Sequence, residues 1–366
     1  GTNNIVVDAY TTGRNSFDNI YLTGGNNLTF RFTTISLTNY WNATGAFGVF
    51  ADELDTLITP EMNTIINLID DPEVSSRAVE QTYFTTFNSF QTAVNGIRTA
   101  VGESVARGAQ LRDEKRLAPR GARGPRRRRG QQPESQIRGW GKYYGNYYTR
   151  SEEGLYPSYE SELHGAVLGV DANMGKLIVG ITGGAGRYET TFNNDARENT
   201  SATYGSLYST YGAERGYIDA GLAYGINRVE TQTAAPFRLD GDFDAQIANA
   251  YLGGGIDLTD TRGGTVFTPE AAIQYAKYKQ DGYTETGTTA VPRVFDEFDA
   301  DSLLSSIGIN VAMEKKKAMR TVAFQLDGRL HWMHEFNADS SDVNFRLAGG
   351  SNPYLINYPA LDEEIY

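Results

Sequence analysis

The sequence has no cysteine and only 11 prolines among its 366 residues. Without cysteine, the protein has no disulfide framework, no thiolate metal ligand and no thiol nucleophile. A bundle of membrane-spanning helices is also excluded, because no apolar run approaches the roughly 18 residues that one span requires. The net charge of −12 argues against a nucleic-acid-binding protein, whose surface should be basic.

Glycine and tyrosine, in contrast, are abundant, with 40 and 23 residues. The mean hydropathy is −0.44, but this average does not exclude a membrane β-barrel. The strands of such a barrel alternate apolar and polar residues, so their hydropathy averages to a near-neutral value. The composition therefore favours a membrane barrel over a helical membrane protein.

Residues 1–58 are predicted to be β-rich. Leu28, Phe30 and Phe32 alternate with polar residues, as expected of a strand with one buried face. This segment is compatible with a small β-sheet and with the last rungs of a longer β-solenoid, and both interpretations stay open.

Residues 59–111 are predicted to be helical, starting where Thr59 precedes a proline at the first helical position. Between residues 73 and 107, apolar residues at spacings of three and four predict one helix about 50 Å long. The opposite face carries Ser, Thr, Asn and Gln, which is too polar for contact with lipid. If this helix crosses a membrane, it must do so inside another part of the protein. The apolar stripe consists of Val79, Tyr83, Phe87, Phe90, Val94, Ile97, Val101 and Val105.

Residues 112–136 form a basic segment that contains four consecutive arginines, Arg126–Arg129, together with glycine and proline. We predict a flexible linker here, because no hydrophobic periodicity is present. Contact with nucleic acid or anionic lipid is the alternative. A solvated spacer is favoured, because no aromatic residues are interleaved for base stacking.

Residues 137–366 consist of successive strand-like segments separated by polar turns. Along 217–229, small and polar residues such as Asp219 and Gly221 alternate with Ile218, Leu222, Tyr224 and Ile226. A soluble sandwich would place bulky residues inside and charges outside. The opposite asymmetry here predicts an all-β transmembrane antiparallel β-barrel, with lipid outside and a polar lumen inside.

Three segments at the start of this region carry a family resemblance: IRGWGKYYG at 137–145, HGAVLGVD at 164–171 and LIVGITGGAGRY at 177–188. In order and spacing they resemble the first strands of the translocator barrel of type Va autotransporters. The resemblance implies a twelve-stranded barrel in the outer membrane of a Gram-negative bacterium. It also implies that the helix 73–107 runs through the pore and that a passenger lies N-terminal to it at the cell surface.

The resemblance further implies a protein-transport function without enzymatic activity, cofactor or metal. The implied partners are outer-membrane lipid, the barrel assembly machinery, periplasmic chaperones and the protein's own upstream passenger, with no nucleic acid. Two alternatives remain: a non-secretory outer-membrane porin or adhesin, and a soluble β-rich surface-binding domain.

The sequence departs from the family pattern in three respects. Ten candidate strands are present instead of twelve, the tenth near residue 343, so we expect further strands beyond Tyr366. The linker at 112–136 is unusually rich in arginine. The helix also lacks the paired asparagines at which self-cleaving members are cut, and Asn193–Asn194 is predicted to form a turn.

Several charged residues are candidates for lining the lumen. We predict either that the barrel residues contact the helix arginines or that they only hydrate the pore. His331 and His334 are predicted to face opposite sides of a strand and therefore not to form a metal site. The candidates are Arg98 and Arg107 on the helix and Asp219, Asp257, Glu270, Asp327, Arg329 and Glu335 on the barrel.

Overall fold

The computed structural model describes residues 15–23, 27–69, 71–84, 87–117, 136–152, 157–258, 265–316, 323–337, 341–358 and 364–365. The arginine run Arg126–Arg129 and most of the predicted linker therefore lie outside the described residues. No helix in these ranges is both long and apolar enough to span a bilayer.

The described residues of the N-terminal part form one hairpin and five helices. The hairpin strands are β1 (Asn15–Thr23) and β2 (Asn27–Thr34). The helices are α1 (Leu37–Tyr40), α2 (Gly45–Leu57), α3 (Pro60–Leu68), α4 (Pro72–Tyr83) and α5 (Ser89–Leu117).

Helices α1 and α2 differ from the prediction of a β-rich segment over residues 1–58. The side chain of Ser36 caps α1 by accepting a hydrogen bond from the Asn39 backbone N–H. In α2, Phe50 and Leu54 lie four residues apart and are fully buried. A helix places both side chains on one face, and this tertiary burial stabilises it over the alternating strand pattern.

The predicted helix 73–107 is divided into α4 and α5. Asp71 starts α4 by accepting hydrogen bonds from the backbone N–H groups of Glu73 and Val74 at 2.9 and 3.3 Å. The chain leaves the helix at Phe84, whose ring packs edge-on against Phe50 at 4.9 Å between centroids. Tertiary aromatic contacts therefore produce a break that the apolar periodicity did not reveal.

Among the described residues, fourteen further strands follow α5. They are β3 (Gln136–Arg150), β4 (Tyr159–Met174), β5 (Leu177–Phe192), β6 (Arg197–Ala213), β7 (Gly216–Gln232), β8 (Asp240–Ile256), β9 (Thr265–Gln280), β10 (Tyr283–Thr284), β11 (Arg293–Phe295), β12 (Phe298–Lys316), β13 (Ala323–Glu335), β14 (Ser341–Leu347), β15 (Tyr354–Tyr358) and β16 (Glu364–Ile365).

Ten of these strands form one antiparallel sheet in the order β16-β13-β12-β9-β8-β7-β6-β5-β4-β3. At one end of this sheet, which we call the turn end, two-residue turns join β4 to β5 and β6 to β7. At the opposite loop end, residues 281–297 connect β9 to β12, and residues 336–363 connect β13 to β16. The turn at Gly175 requires a φ of +82°, which glycine adopts without strain.

The two faces of this sheet differ as the sequence predicted. On β7, Ile218, Leu222 and Ile226 are more than half exposed, whereas Asp219 and Asn227 on the other face are buried. The register places Leu222 opposite Leu207 and Ala250, so that the outward apolar residues of neighbouring strands lie side by side. The prediction of an antiparallel barrel sheet with an apolar outer face is confirmed.

The prediction of a tenth barrel strand near residue 343 was wrong. β14 lies instead in a separate four-stranded sheet at the loop end, in the order β10-β11-β14-β15. Val343, Phe345 and Leu347 on one face of β14 are buried, and Phe345 contacts Phe84. The alternating pattern is the same in both sheets, and only the aromatic partners decide which sheet the strand joins. Within the ten-stranded sheet, the tenth position belongs to β16.

Candidate functional site

Helix α5 lies inside the curve of the ten-stranded sheet and fills its lumen. Its backbone packs against β4–β9 and β12. Side chains extend these contacts to the two remaining long strands, because Lys142 of β3 pairs with Glu103 and Glu335 of β13 pairs with Arg98. All nine long strands therefore surround one helix.

The apolar stripe of α5 meets rings and small residues of the sheet. Phe90 packs against Tyr278 of β9 and Phe298 of β12, at 5.5 and 6.5 Å between ring centroids. Val101 lies beside Gly221 of β7, where a side chain on the glycine would approach the valine methyl group to 3.3 Å. Hydrophobic packing thus holds one side of the helix, and polar contacts hold the other sides.

The N-terminus of α5 is capped by the barrel. Glu198 of β6 is 1% exposed, and its carboxylate accepts a hydrogen bond of 2.6 Å from the Asn88 backbone N–H. A carboxylate at this position satisfies a free N–H group and interacts favourably with the helix dipole. Sequence analysis missed Glu198, although its alternation with the lumenal Thr200 and Ala202 was a usable signal.

At the tenth residue of α5, the structure brings together two of the predicted residues. The Arg98 guanidinium donates to Glu335 Oε2 at 2.6 Å, and their side chains are 14% and 1% exposed. Ser302 Oγ donates to the same oxygen at 2.8 Å, and the Leu303 backbone N–H donates to Glu335 Oε1 at 2.6 Å. Glu335 is therefore a hydrogen-bonded ion-pair partner of the helix, and not only a group that hydrates the pore.

Closer to the turn end, the helix makes two further polar contacts. Ser104 Oγ lies 3.2 Å from the hydroxyl oxygens of both Thr182 and Ser206. Arg107 Nε donates to Asp171 Oδ2 at 3.2 Å, and this aspartate is buried. Asp171 is the last residue of the family motif at 164–171, and it is not among the predicted site residues. Its position on the lumenal face of β4 is the sequence signal that could have identified it as a contact residue.

Two glycines set how closely α5 approaches the sheet. A Cβ atom at Gly96 would lie 1.5 Å from the Tyr188 hydroxyl oxygen, and a Cβ atom at Gly108 would lie 2.2 Å from Thr210 Oγ1. The Tyr188 hydroxyl is in turn 3.0 Å from the Tyr204 hydroxyl. Because a side chain at either position would collide with the sheet, these two glycines permit the close approach of α5 to β5 and β6.

The other predicted residues lie elsewhere in the sheet. Glu270 accepts a hydrogen bond from Tyr217 and lies 3.3 Å from His331 Nε2, and Asp257 accepts one of 2.9 Å from Thr268. Asp219 is buried in the lumen, whereas Arg329 is exposed. Asp327 pairs with Ala312 in the backbone register, but its side chain lies outside the described residues.

The two histidines occupy opposite faces of β13. His331 faces Glu270 in the lumen, and His334 stacks against Trp332 on the other face at 5.8 Å. Within the described ranges, no three His, Cys, Asp or Glu side chains are grouped closely enough to hold a metal ion. The lumenal contacts described above are hydrogen bonds, ion pairs and hydrophobic packing.

Comparison with known proteins gives one family match, to the autotransporter β-domain over residues 139–362. Outer membrane protein B of Rickettsia typhi is 25% identical over 234 residues, which cover 59% of this chain and 14% of that protein. The protein of the same name from Rickettsia japonica is 24% identical over 188 residues, which cover 47% of this chain and 11% of that protein. This chain therefore spans a small part of the length of the curated relatives it matches.

The chain is also similar to several solved structures. The translocator domain of the autotransporter NalP from Neisseria meningitidis has a TM-score of 0.46 at 14% identity, covering 59% of this chain and 77% of that chain. The β-domain of the Bordetella autotransporter BrkA has a TM-score of 0.45 at 17% identity, covering 57% of this chain and 83% of that chain. Both TM-scores are low, and the family assignment rests on the match over residues 139–362.

Proposed function

Because this chain belongs to the autotransporter β-domain family, we propose that it carries the polypeptide N-terminal to α5 across the outer membrane and then anchors it there. The family assignment confirms the resemblance stated from the sequence and places the protein in the bacterial outer membrane, with its passenger at the cell surface. It also removes the alternative of a soluble surface-binding domain.

The direction of α5 is the observation that carries this proposal. In outer-membrane barrels, short turns lie in the periplasm and longer loops lie outside. The turn end is therefore periplasmic and the loop end external. α5 begins at the loop end, where Asn88 meets Glu198, and Arg107 and Arg112 lie near the turn end beside Asp171 and Tyr217. The chain N-terminal to α5 is consequently outside the cell.

After export, α5 stays in the lumen as a plug. Glu198, Glu335 and Asp171 hold the helix at three points along its length, through Asn88, Arg98 and Arg107. The transport step in this proposal requires no enzymatic reaction, cofactor or metal from this chain. Insertion of the sheet is assigned to the barrel assembly machinery, with delivery by periplasmic chaperones.

A surface-accessibility experiment tests the proposal. An epitope tag placed before Asn15 should be digested by protease added to intact cells, and a tag in the two-residue turn at Gly175 should be protected until the outer membrane is opened. Protection of the N-terminal tag would contradict export. It would favour the second candidate, a porin or adhesin barrel whose N-terminal helices remain in the periplasm.

Conductance provides an independent measurement. The full chain in a planar bilayer should conduct weakly, and deletion of Ser89–Leu117 should open the pore. An equal conductance of both proteins would show that α5 does not block the lumen.

A further inference from the structure

Two parts of the chain that are distant in sequence build one folded unit at the loop end, which we call the external cap. The first part is α2–α4, and the second is the sheet formed by β10, β11, β14 and β15. Phe50 of α2 is fully buried, with its ring 5.1 Å from the rings of both Tyr83 and Tyr354. The cap core is therefore shared between the helices and the loop sheet.

A buried ion pair in the sheet depends on the helices for its remaining hydrogen bonds. Arg293 donates to both carboxylate oxygens of Glu285, at 2.7 and 2.6 Å, and both side chains are fully buried. Arg293 Nη1 also donates to the Tyr83 carbonyl oxygen at 3.2 Å. The Tyr83 hydroxyl donates to the Val291 carbonyl oxygen at 2.8 Å. The end of α4 thus covers the ion pair and completes its hydrogen bonding.

A second set of contacts joins α2 to the other loop. One oxygen of the Glu53 carboxylate accepts hydrogen bonds from the backbone N–H groups of Ser351 and Asn352, at 2.7 and 3.2 Å. The other oxygen accepts one from the Tyr354 hydroxyl. Thr59, at the start of α3, donates to the Thr288 carbonyl oxygen at 3.1 Å. Both barrel loops therefore bind the helices through specific polar groups.

The cap is connected to the plug by only five residues, 84–88. Phe84 belongs to the cap core, and Phe87 is buried against Phe192 of β5 at 5.9 Å between ring centroids. The chain is therefore held on both sides of this connection. A displacement of α5 toward the periplasm requires α4 to leave the cap.

We propose that the external cap is a latch in which the last exported segment, residues 45–83, docks onto two barrel loops and prevents the plug from sliding back. This inference rests on the proposed export function. Residues 45–83 precede α5 and pass through the lumen, whereas the loops 281–297 and 341–358 belong to the inserted barrel. The aromatic core and the cover of Arg293 form only when both parts are outside, so docking stabilises the exported state.

Conductance of the full chain in a planar bilayer tests the latch. Phe50→Ala on the helix side and Phe345→Ala on the loop side should each raise the fraction of time during which the pore is open. The expected rise is about a hundredfold, because each substitution removes a buried ring. The matched controls are Val49→Ala on α2, beside Phe50, and Leu355→Ala on β15, the strand that pairs with β14; these residues are 53% and 58% exposed. These controls should behave as the unchanged protein.

The position of the N-terminal tag separates failure of the latch from failure of the proposed function. In both cases barrel folding is checked by heat-modifiable mobility on gels. A surface-exposed tag with unchanged conductance in Phe50→Ala and Phe345→Ala would overturn the latch and leave the export function intact. A tag that never reaches the surface in the unchanged protein would overturn both.

Discussion

Arg98 on the pore helix donates a hydrogen bond of 2.6 Å to Glu335 on β13, a residue 237 positions later in the chain. Glu335 is bound at the same time by Ser302 and the Leu303 backbone N–H. The arginine therefore meets a carboxylate that the sheet already holds in place. Such a preorganised partner fixes both the rotation of the helix about its axis and its position along that axis.

Glu335→Gln should weaken the binding of α5 by about 3 kcal/mol, because the change leaves the mostly buried Arg98 without its charged partner. The measurement is the urea concentration at which the full chain in a planar bilayer begins to conduct. Arg187→Met breaks the pair of Arg187 and Glu189, whose side chains are both 60% or more exposed, and should cost less than about 1 kcal/mol. Equal shifts in the two variants would show that the lumenal pair does not hold the helix.

Gly96→Ala should displace or destabilise the plug by about 1–3 kcal/mol, because the added Cβ collides with the Tyr188 hydroxyl. Gly102 on the same helix has no atom within 4 Å of the corresponding position. Gly102→Ala should therefore be neutral or stabilise the helix by up to about 1 kcal/mol. The same urea series measures both variants.

The matched rescue for Gly96→Ala is Tyr188→Phe, which removes the nearest colliding oxygen. The double variant should recover part of the lost resistance to urea. If Gly96→Ala behaves like Gly102→Ala, the close approach of helix and sheet does not exist in the membrane.

The external cap should weaken in acid through Glu53. Partial burial opposes ionisation of this carboxyl group, but hydrogen bonds from Tyr354, Ser351 and Asn352 outweigh it and hold the pKa of Glu53 below its ordinary value. A lowered pKa in the folded state means that the stabilisation is complete above the ordinary pKa, about 4.3, and is lost as the pH falls below it.

Fluorescence of Trp41, which stacks on Phe47 at 5.8 Å, reports on the packing around the cap. We expect Glu53→Gln to remove part of the change in this signal between pH 5 and pH 3, relative to the unchanged protein. Glu61→Gln, at an exposed position on α3, is the control and should keep the original profile. An unaltered profile in Glu53→Gln would exclude Glu53 as the source of the acid sensitivity.

Arg293→Met should destabilise the external cap by about 3–5 kcal/mol, because it leaves the Glu285 carboxylate buried without a partner. The double variant Arg293→Met with Glu285→Met should recover much of this loss, since no buried charge remains. The control is Arg346→Met, which removes a half-exposed pair with Asp296 at 3.7 Å. The urea midpoint of the Trp41 fluorescence measures the stability of the cap in the single variant, the double variant and the control. A smaller loss of stability in Arg293→Met than in Arg346→Met would contradict the expectation.

The lumenal residues show how far sequence analysis reached. Alternation along a strand is a local property, so Glu335 and Glu270 could be placed on the lumenal face from sequence alone. The partner of a given helix residue depends on the strand register and on the position of the helix along its axis, and Arg107 and Asp171 are 64 positions apart in the chain. For this reason Arg107 was predicted as a contact residue while its partner Asp171 was not.

The break between α4 and α5 and the position of β14 have the same origin. Phe84 lies next to Tyr83 of the predicted apolar stripe, and Phe345 fits the alternation of a barrel strand, so neither residue alone indicates a cap. They contact each other at 5.9 Å between ring centroids, across 261 positions of sequence, and this contact ends the helix and places the strand in the second sheet.

The sequence by itself determined the two-faced strands, the polar helix that needs an enclosing sheet, and the family, because residue type and spacing encode these features directly. Only the tertiary structure decided which carboxylates hold the helix, where the helix breaks and which loops bind the segment before it. Those features arise from burial and from contacts between distant residues, which depend on the three-dimensional arrangement of the whole chain.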